Sequence, residues 1–149
     1  MREILFRGKR LDNGEWVEGY LYEHEPALVG IVPENYVPEP SKWFIARTGF
    51  ADWNMPRPVE FVEIAPSTVG QYTGLKDKNG KRIFDGDILR SRYDDLYPDD
   101  VAIEVVKWFR NGLYIQQGEN LPDALDEDGV LPCSEIIGNI TDNPELLEK

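Results

Sequence analysis

Gly70-Gln71-Tyr72-Thr73-Gly74-Leu75-Lys76-Asp77-Lys78-Asn79-Gly80-Lys81-Arg82-Ile83-Phe84-Asp85-Gly86-Asp87-Ile88-Leu89 is the stretch on which the reading of this chain turns. It holds four glycines and three aspartates, and it ends on Ile88-Leu89, which reads as the start of a strand. Asn79-Gly80 supplies the positive φ angles of a tight turn, and Asp85-Gly86-Asp87 makes a bend into the next strand. A phosphate-loop reading fails on spacing. Five residues separate Gly74 from Gly80 where such a loop has four, and Arg82 stands where a magnesium-binding Ser or Thr belongs. Asp85 and Asp87 flank a turn glycine, a position from which carboxylates ordinarily serve nearby backbone N–H groups and not a cation.

Outward from this stretch the chain reads as short strands and turns. Ile4–Leu11 and Glu15–Tyr22 flank Asp12-Asn13-Gly14 as a hairpin. In its second strand Trp16, Tyr20 and Tyr22 share one face, interrupted by Glu18, with Val17 and Leu21 on the other. Six of the eleven prolines fall between Pro26 and Pro58, which forbids a long ladder there. Leu28–Val32 and Lys42–Arg47 are short strands at most. Trp43, Phe44, Phe50 and Trp53 suit an irregular lobe packed by its own aromatics, or a ligand groove lined by Trp43 and Trp53.

Val59–Ala65 reads as a strand ended by Pro66, with Val62 and Ile64 on one face and Val59 and Phe61 on the other. Past the central stretch, Asp87–Arg92, Val101–Trp108, Leu113–Gln117 and Ser134–Ile140 are further strands. Asn111-Gly112 makes a turn, and a short helix begins at Asn143-Pro144. No long segment has helical periodicity. The expectation is a mainly β protein, with a small barrel or curled sheet from Asp87 to Ile140 and a short C-terminal helix. It is organised as one domain over 1–149, or as two lobes over 1–69 and 70–149.

Composition narrows the chemistry. The single cysteine, Cys133, excludes an intrachain disulfide and a multi-cysteine zinc site, and the single histidine, His24, lies between two glutamates. No serine sits in a nucleophile elbow. Ala124–Glu135 mimics part of a calcium loop but lacks the first ligand and carries Pro132 at the ninth position. These residues name no catalytic group, metal site or cofactor, and a non-enzymatic protein is expected. The net charge of -12 disfavours binding to a phosphate backbone. The acids are unevenly placed: nine lie between Asn111 and Glu148, where there is no basic residue. That region is either a solvated surface or an anionic face for a basic partner. Lys76, Lys78, Lys81 and Arg82, joined by Arg90 and Arg92, are the one basic stripe, and with Trp43 and Trp53 they form the candidate interaction surface. Neither a membrane span nor a signal peptide is apparent, and edge strands leave self-association open.

Three blocks carry a resemblance. They are Met1-Arg2-Glu3-Ile4-Leu5-Phe6-Arg7-Gly8, the central run from Gln71 to Ile88, and Glu135-Ile136-Ile137-Gly138-Asn139-Ile140 followed by Asn143-Pro144-Glu145-Leu146-Leu147. In this order they resemble the YopX family of small proteins encoded by bacteriophages and prophages. The resemblance implies a phage or prophage origin, a mostly β fold and action in the cytoplasm of the bacterial host. It implies no activity, cofactor or catalytic residue, and it leaves 23–66 and 93–131 without a match. The lack of a catalytic constellation, the acidic C-terminal region and the aromatics lead to the expectation that the protein binds a host or phage macromolecule.

Overall fold

The computed structural model describes residues 3–27, 30–49, 53–54, 59–92, 96, 99–109, 112–116, 123–125 and 131–148. Contacts divide the chain into two compact units, Leu5–Val69 and Gly70–Lys149 with Met1–Ile4.

The first unit is an antiparallel meander of β1 (Phe6–Lys9), β2 (Trp16–His24), β3 (Lys42–Thr48) and β4 (Val59–Ile64), each strand paired with the next. The predicted hairpin turn is present. Gly14 has φ 71°, its N–H donates to the Arg10 carbonyl at 3.0 Å, and the Asn13 side chain accepts from the Glu15 N–H at 2.9 Å. Arg10 grips Asp12 through two nitrogens at 2.8 and 2.6 Å, which holds the Asp12 carboxyl below its ordinary range. Alternation sends Val17, Ile45, Val62 and Ile64 to one face as the core, with Phe6, Leu21, Trp43 and Val69 packed against them.

This meander curls. Ile64 bridges to Arg10, Ala65 N–H donates to the Lys9 carbonyl at 2.9 Å, and Lys9 N–H donates to the Thr68 hydroxyl at 2.8 Å. Ile64 lies so close to Gly8 that a Cβ there would overlap its side chain. The bridge does not extend into a ladder, so the curl is not a closed barrel.

Lys42–Thr48 is a strand inside this sheet, so its aromatics belong to the meander and not to a separate lobe. Gly30–Val32, expected to be strand, has no strand partner among the described residues, and Leu28 and Val29 lie outside them. Pro33 follows directly and removes a ladder donor.

In the second unit β5 (Gly70–Lys76) and β6 (Arg82–Phe84) form a bulged hairpin. The bulge falls between Tyr72 and Lys76, a stretch in which Gly74 has φ 87° and the Thr73 hydroxyl donates to the Ile83 carbonyl at 2.8 Å. β7 (Asp87–Ser91), β8 (Ala102–Phe109), β9 (Gly112–Gln116), β10 (Asp123–Ala124) and β11 (Ser134–Asn139) make an antiparallel sheet in the order β10-β9-β8-β7-β11. Its end strands β10 and β11 do not pair with each other among the described residues, so the barrel expected from Asp87 to Ile140 is an open sheet. Ile83, Leu89, Val106 and Ile115 form its core, with Leu75, Leu125 and Ile136 against them.

β8 departs from simple alternation. Val105 is buried, and so are Glu104 and Val106 on the opposite face. The Ser91 hydroxyl donates to the Glu104 carboxylate at 2.9 Å and lies 2.6 Å from the Ser134 hydroxyl. Since Ser91 has one proton and gives it to Glu104, Ser134 is the donor to Ser91. Three neighbouring strands thus share one polar cluster.

The expected C-terminal helix is a single 3-10 turn, Pro144–Leu147. Its bonds close three residues apart, Leu146 N–H to Asn143 and Glu148 N–H to Glu145. Asn143 makes no cap bond, because its side chain is turned back against Gly138 and Asn139.

Asp77 ties the central stretch together. It is buried, and its Oδ1 accepts from the N–H groups of Asn79 and Lys81, both at 2.9 Å. Oδ2 accepts from the Ile136 N–H of β11 at 3.0 Å, and Lys78 N–H donates to the Ser134 carbonyl at 3.0 Å. The turn is thereby fastened along the outer edge of β11. Replacing Asp77 by Ala strands three N–H groups, and the loss of stability is expected to be roughly 3 kcal/mol, with Asp77→Asn intermediate. Urea titration measures both, and an Ala variant within about 0.5 kcal/mol of wild type rules this role out.

Glu135, next on the same strand, receives Arg90 of β7 through Nε at 2.7 Å and through a second guanidinium nitrogen, with Lys78 at 3.3 Å. Arg90 first, then Lys78, holds its carboxyl below the usual glutamate range. A depressed folded pKa contributes stability that is complete above the unfolded value and is lost as pH falls through the folded one. Glu135→Gln is therefore expected to lose stability near neutrality, and the difference from wild type is expected to shrink as pH falls below the usual glutamate range, as read by paired denaturation curves.

Candidate interaction surface

The basic stripe is largely committed elsewhere. Lys78 and Arg90 both serve Glu135, and Arg82 lies 3.7 Å from Glu3 and stacks over the Tyr72 ring at 5.8 Å. Lys76, Lys81 and Arg92 are exposed and have no ion pair among the described residues. Lys76 and Lys78 line an open depression of about 340 Å³ with Tyr72, Gly74, Leu75 and Pro132. The carboxylate at its border, Asp77, is already occupied by three backbone donors.

The two tryptophans stand in different settings. Trp43 is half-buried on the core side of β3, whereas Trp53 is 92% exposed. His24 is exposed, with its Nδ1 3.2 Å from the Tyr22 hydroxyl. Cys133 is half-buried, and the Ser91 and Ser134 hydroxyls lie fully inside the second unit. Among the described residues no group of three or more His, Cys, Asp or Glu side chains is placed to hold a metal. The middle of the calcium-like loop, 126–130, lies outside those residues, as does most of the polar loop 93–100. Also among the described residues, no helix is long and apolar enough to cross a membrane.

Among the described residues, a further run of aromatic side chains lies on the face of the meander opposite its core. The register opposes Tyr22 to Phe44, Tyr20 to Ala46, and Ala46 to Phe61, so these side chains run side by side across β2, β3 and β4. Tyr22 is the hub. Its ring lies 5.8 Å from Phe61 in an edge contact, 6.3 Å from Phe44 and 6.1 Å from His24. Tyr20, Tyr22 and Phe61 are nonetheless 66, 46 and 56% exposed. Trp16 continues the face toward β1, with the Arg7 guanidinium 4.8 Å above its ring. The strand period puts Arg7, Lys9 and Lys42 on this face with Glu18 and Glu63, so it carries a small positive excess in a protein of net charge -12. The outer side of β4 adds an open cleft bordered by Arg10, Asp12, Glu60, Phe61 and Glu63.

Alternation within β2 already grouped Trp16, Tyr20 and Tyr22. Sequence reasoning missed that Phe44 and Phe61 join them, since that depends on the register of three strands. The missing signal was Val59–Ile64 itself, whose outward residues are as apolar as its inward ones.

Comparison with known proteins places the chain. The family model described as YopX protein matches residues 32–148, which takes in the central and final blocks and leaves Met1–Gly8 outside. No curated protein sequence matches the chain. Among solved structures, protein EF1440 from Enterococcus faecalis is similar at a TM-score of 0.55 and 23% identity, over 99% of this chain and 100% of that one. That similarity concerns the fold. With most of its length matched by the family model, the chain belongs to the YopX family.

Proposed function

We propose that this protein is a non-enzymatic accessory protein of phage or prophage origin that acts in the bacterial cytoplasm by docking a protein partner on the aromatic face of its N-terminal meander. One observation carries the reading: the Tyr22 and Phe61 rings meet, Tyr20 stands on the same face of β2, and all three remain open to solvent. A contiguous apolar patch of this kind is costly on a protein that works alone, and tyrosine is among the residues that dominate binding at interfaces. The mixed charges around the patch, Arg7 and Lys42 against Glu18 and Glu63, suit a polar rim.

A second reading uses the same face as a stacking platform for single-stranded nucleic acid, with Arg7, Lys9 and Lys42 toward phosphates. The net charge of -12 and the commitment of Lys78, Arg82 and Arg90 to carboxylates weigh against it. An enzymatic reading lacks support of this kind, because Ser91, Ser134 and Asp77 already have partners inside the fold.

The test replaces Tyr20, Tyr22 and Phe61 together by Ser and compares capture from host lysate with that of wild type, with circular dichroism confirming the fold. At least about tenfold less recovered partner is expected, equal to some 1.4 kcal/mol of lost affinity. Recovery of the same partner in equal amount by both proteins overturns the reading. Binding of an oligothymidine that weakens between about 50 and 200 mM salt, and that the triple variant abolishes, transfers the face to the nucleic-acid reading.

A further inference from the structure

The connection between β2 and β3 holds the counterpart of the aromatic face. From Ile31 to Pro40 every residue is exposed, and none is in a helix or strand. Ile31 is fully exposed and Val37 82% exposed, so the chain does not bury them against its own platform. Pro33, Pro38 and Pro40 restrict the backbone to extended conformations, interrupted by one turn in which Tyr36 N–H donates to the Pro33 carbonyl at 2.9 Å. The segment therefore presents apolar side chains on a backbone that loses little freedom when it binds. This is the feature that aromatic-lined surfaces exploit in proline-rich ligands.

Charge matches as well. Ile31–Pro40 contains Glu34 and Glu39 and no basic residue, while the platform carries Lys42, Arg7 and Lys9 in excess over Glu18 and Glu63. One unit thus displays an unburied platform and an unburied acidic, proline-rich segment of complementary character.

Resting on the docking role just described, we infer that the partner on this face is a second copy of the same chain. Ile31–Pro40 of each copy lies across the Tyr20, Tyr22 and Phe61 platform of the other. Reciprocal exchange closes as a two-fold dimer and makes the contact twice, which doubles the area gained from one short segment.

The test is the mass of the purified full chain in solution, by light scattering after size exclusion. Concentrations up to about 100 μM populate any dimer with a micromolar Kd. Wild type is expected at twice the 17.1 kDa of one chain. Two double variants, Tyr22→Glu with Phe61→Glu on the platform and Ile31→Asp with Val37→Asp on the segment, are each expected to be monomeric with unchanged circular dichroism. Mixing them is the deciding step. The platform variant keeps an intact segment and the segment variant an intact platform, so the mixture regains dimer through one contact, at least about tenfold weaker than wild type.

Monomeric wild type overturns the inference, as does a segment variant that still dimerises or a mixture that stays monomeric. Occupancy of the platform by oligothymidine in a monomeric protein overturns it too. A monomer that still captures a partner through Tyr20, Tyr22 and Phe61 sinks only the exchange. Platform substitutions without effect on mass or capture sink the docking role with it.

Discussion

The carboxylate of Asp77 is the constraint on which the second unit depends. It closes the Asn79-Gly80 turn from within and also reaches the Ile136 amide, so that a local bend and a strand distant in sequence are held by one side chain. An edge strand offers a row of unpaired amides to any passing chain. Here that row is met by the turn itself, through Asp77 and the Lys78 amide. The long central block shared with the family therefore has a mechanical reason for its composition. Asn79 and Gly80 allow the turn, Asp77 fixes it, and Asp87 accepts from the Phe84 amide at 2.8 Å to set the following bend.

Much of the fold was legible because turn chemistry is local. Asn13-Gly14 and Asn79-Gly80 sit in turns as read, and Asp85-Gly86-Asp87 opens β7. Open against closed was not legible. Whether a sheet curls shut depends on which end strands meet, and the bridge from Arg10 to Ile64 joins residues far apart in sequence. The C-terminal turn was misread as a helix because Asn143-Pro144 has helix-start chemistry, while the rival use of Asn143 against Gly138 is a tertiary fact. The candidate surface was half legible. β2 announced three aromatics, but Phe44 and Phe61 were hidden in segments whose register only the fold defines.

The basic residues of the central stretch show how composition misleads about surfaces. On paper six cations form a stripe, yet Lys78 and Arg90 converge on Glu135 and Arg82 turns to Glu3 and Tyr72. The positive excess of the aromatic face comes from residues on two strands, Arg7 and Lys9 of β1 and Lys42 of β3, none of them adjacent in sequence. Charge on a β protein is sorted by the two-residue period and by strand order, so a run of lysines is a poor guide to an electropositive face.

The Ser91, Glu104 and Ser134 cluster has a consequence for folding fidelity. Antiparallel strands with apolar residues on both faces, as in β7, have little in their side chains to forbid a one-step slide against a neighbour. A slide of β7 relative to β8 or β11 would withdraw the Ser91 hydroxyl from the buried Glu104 carboxylate, a larger penalty than a misplaced methyl group. The cluster acts as a combination lock across three strands: only one alignment satisfies every tumbler, and misaligned sheets are rejected by their own unpaid hydration.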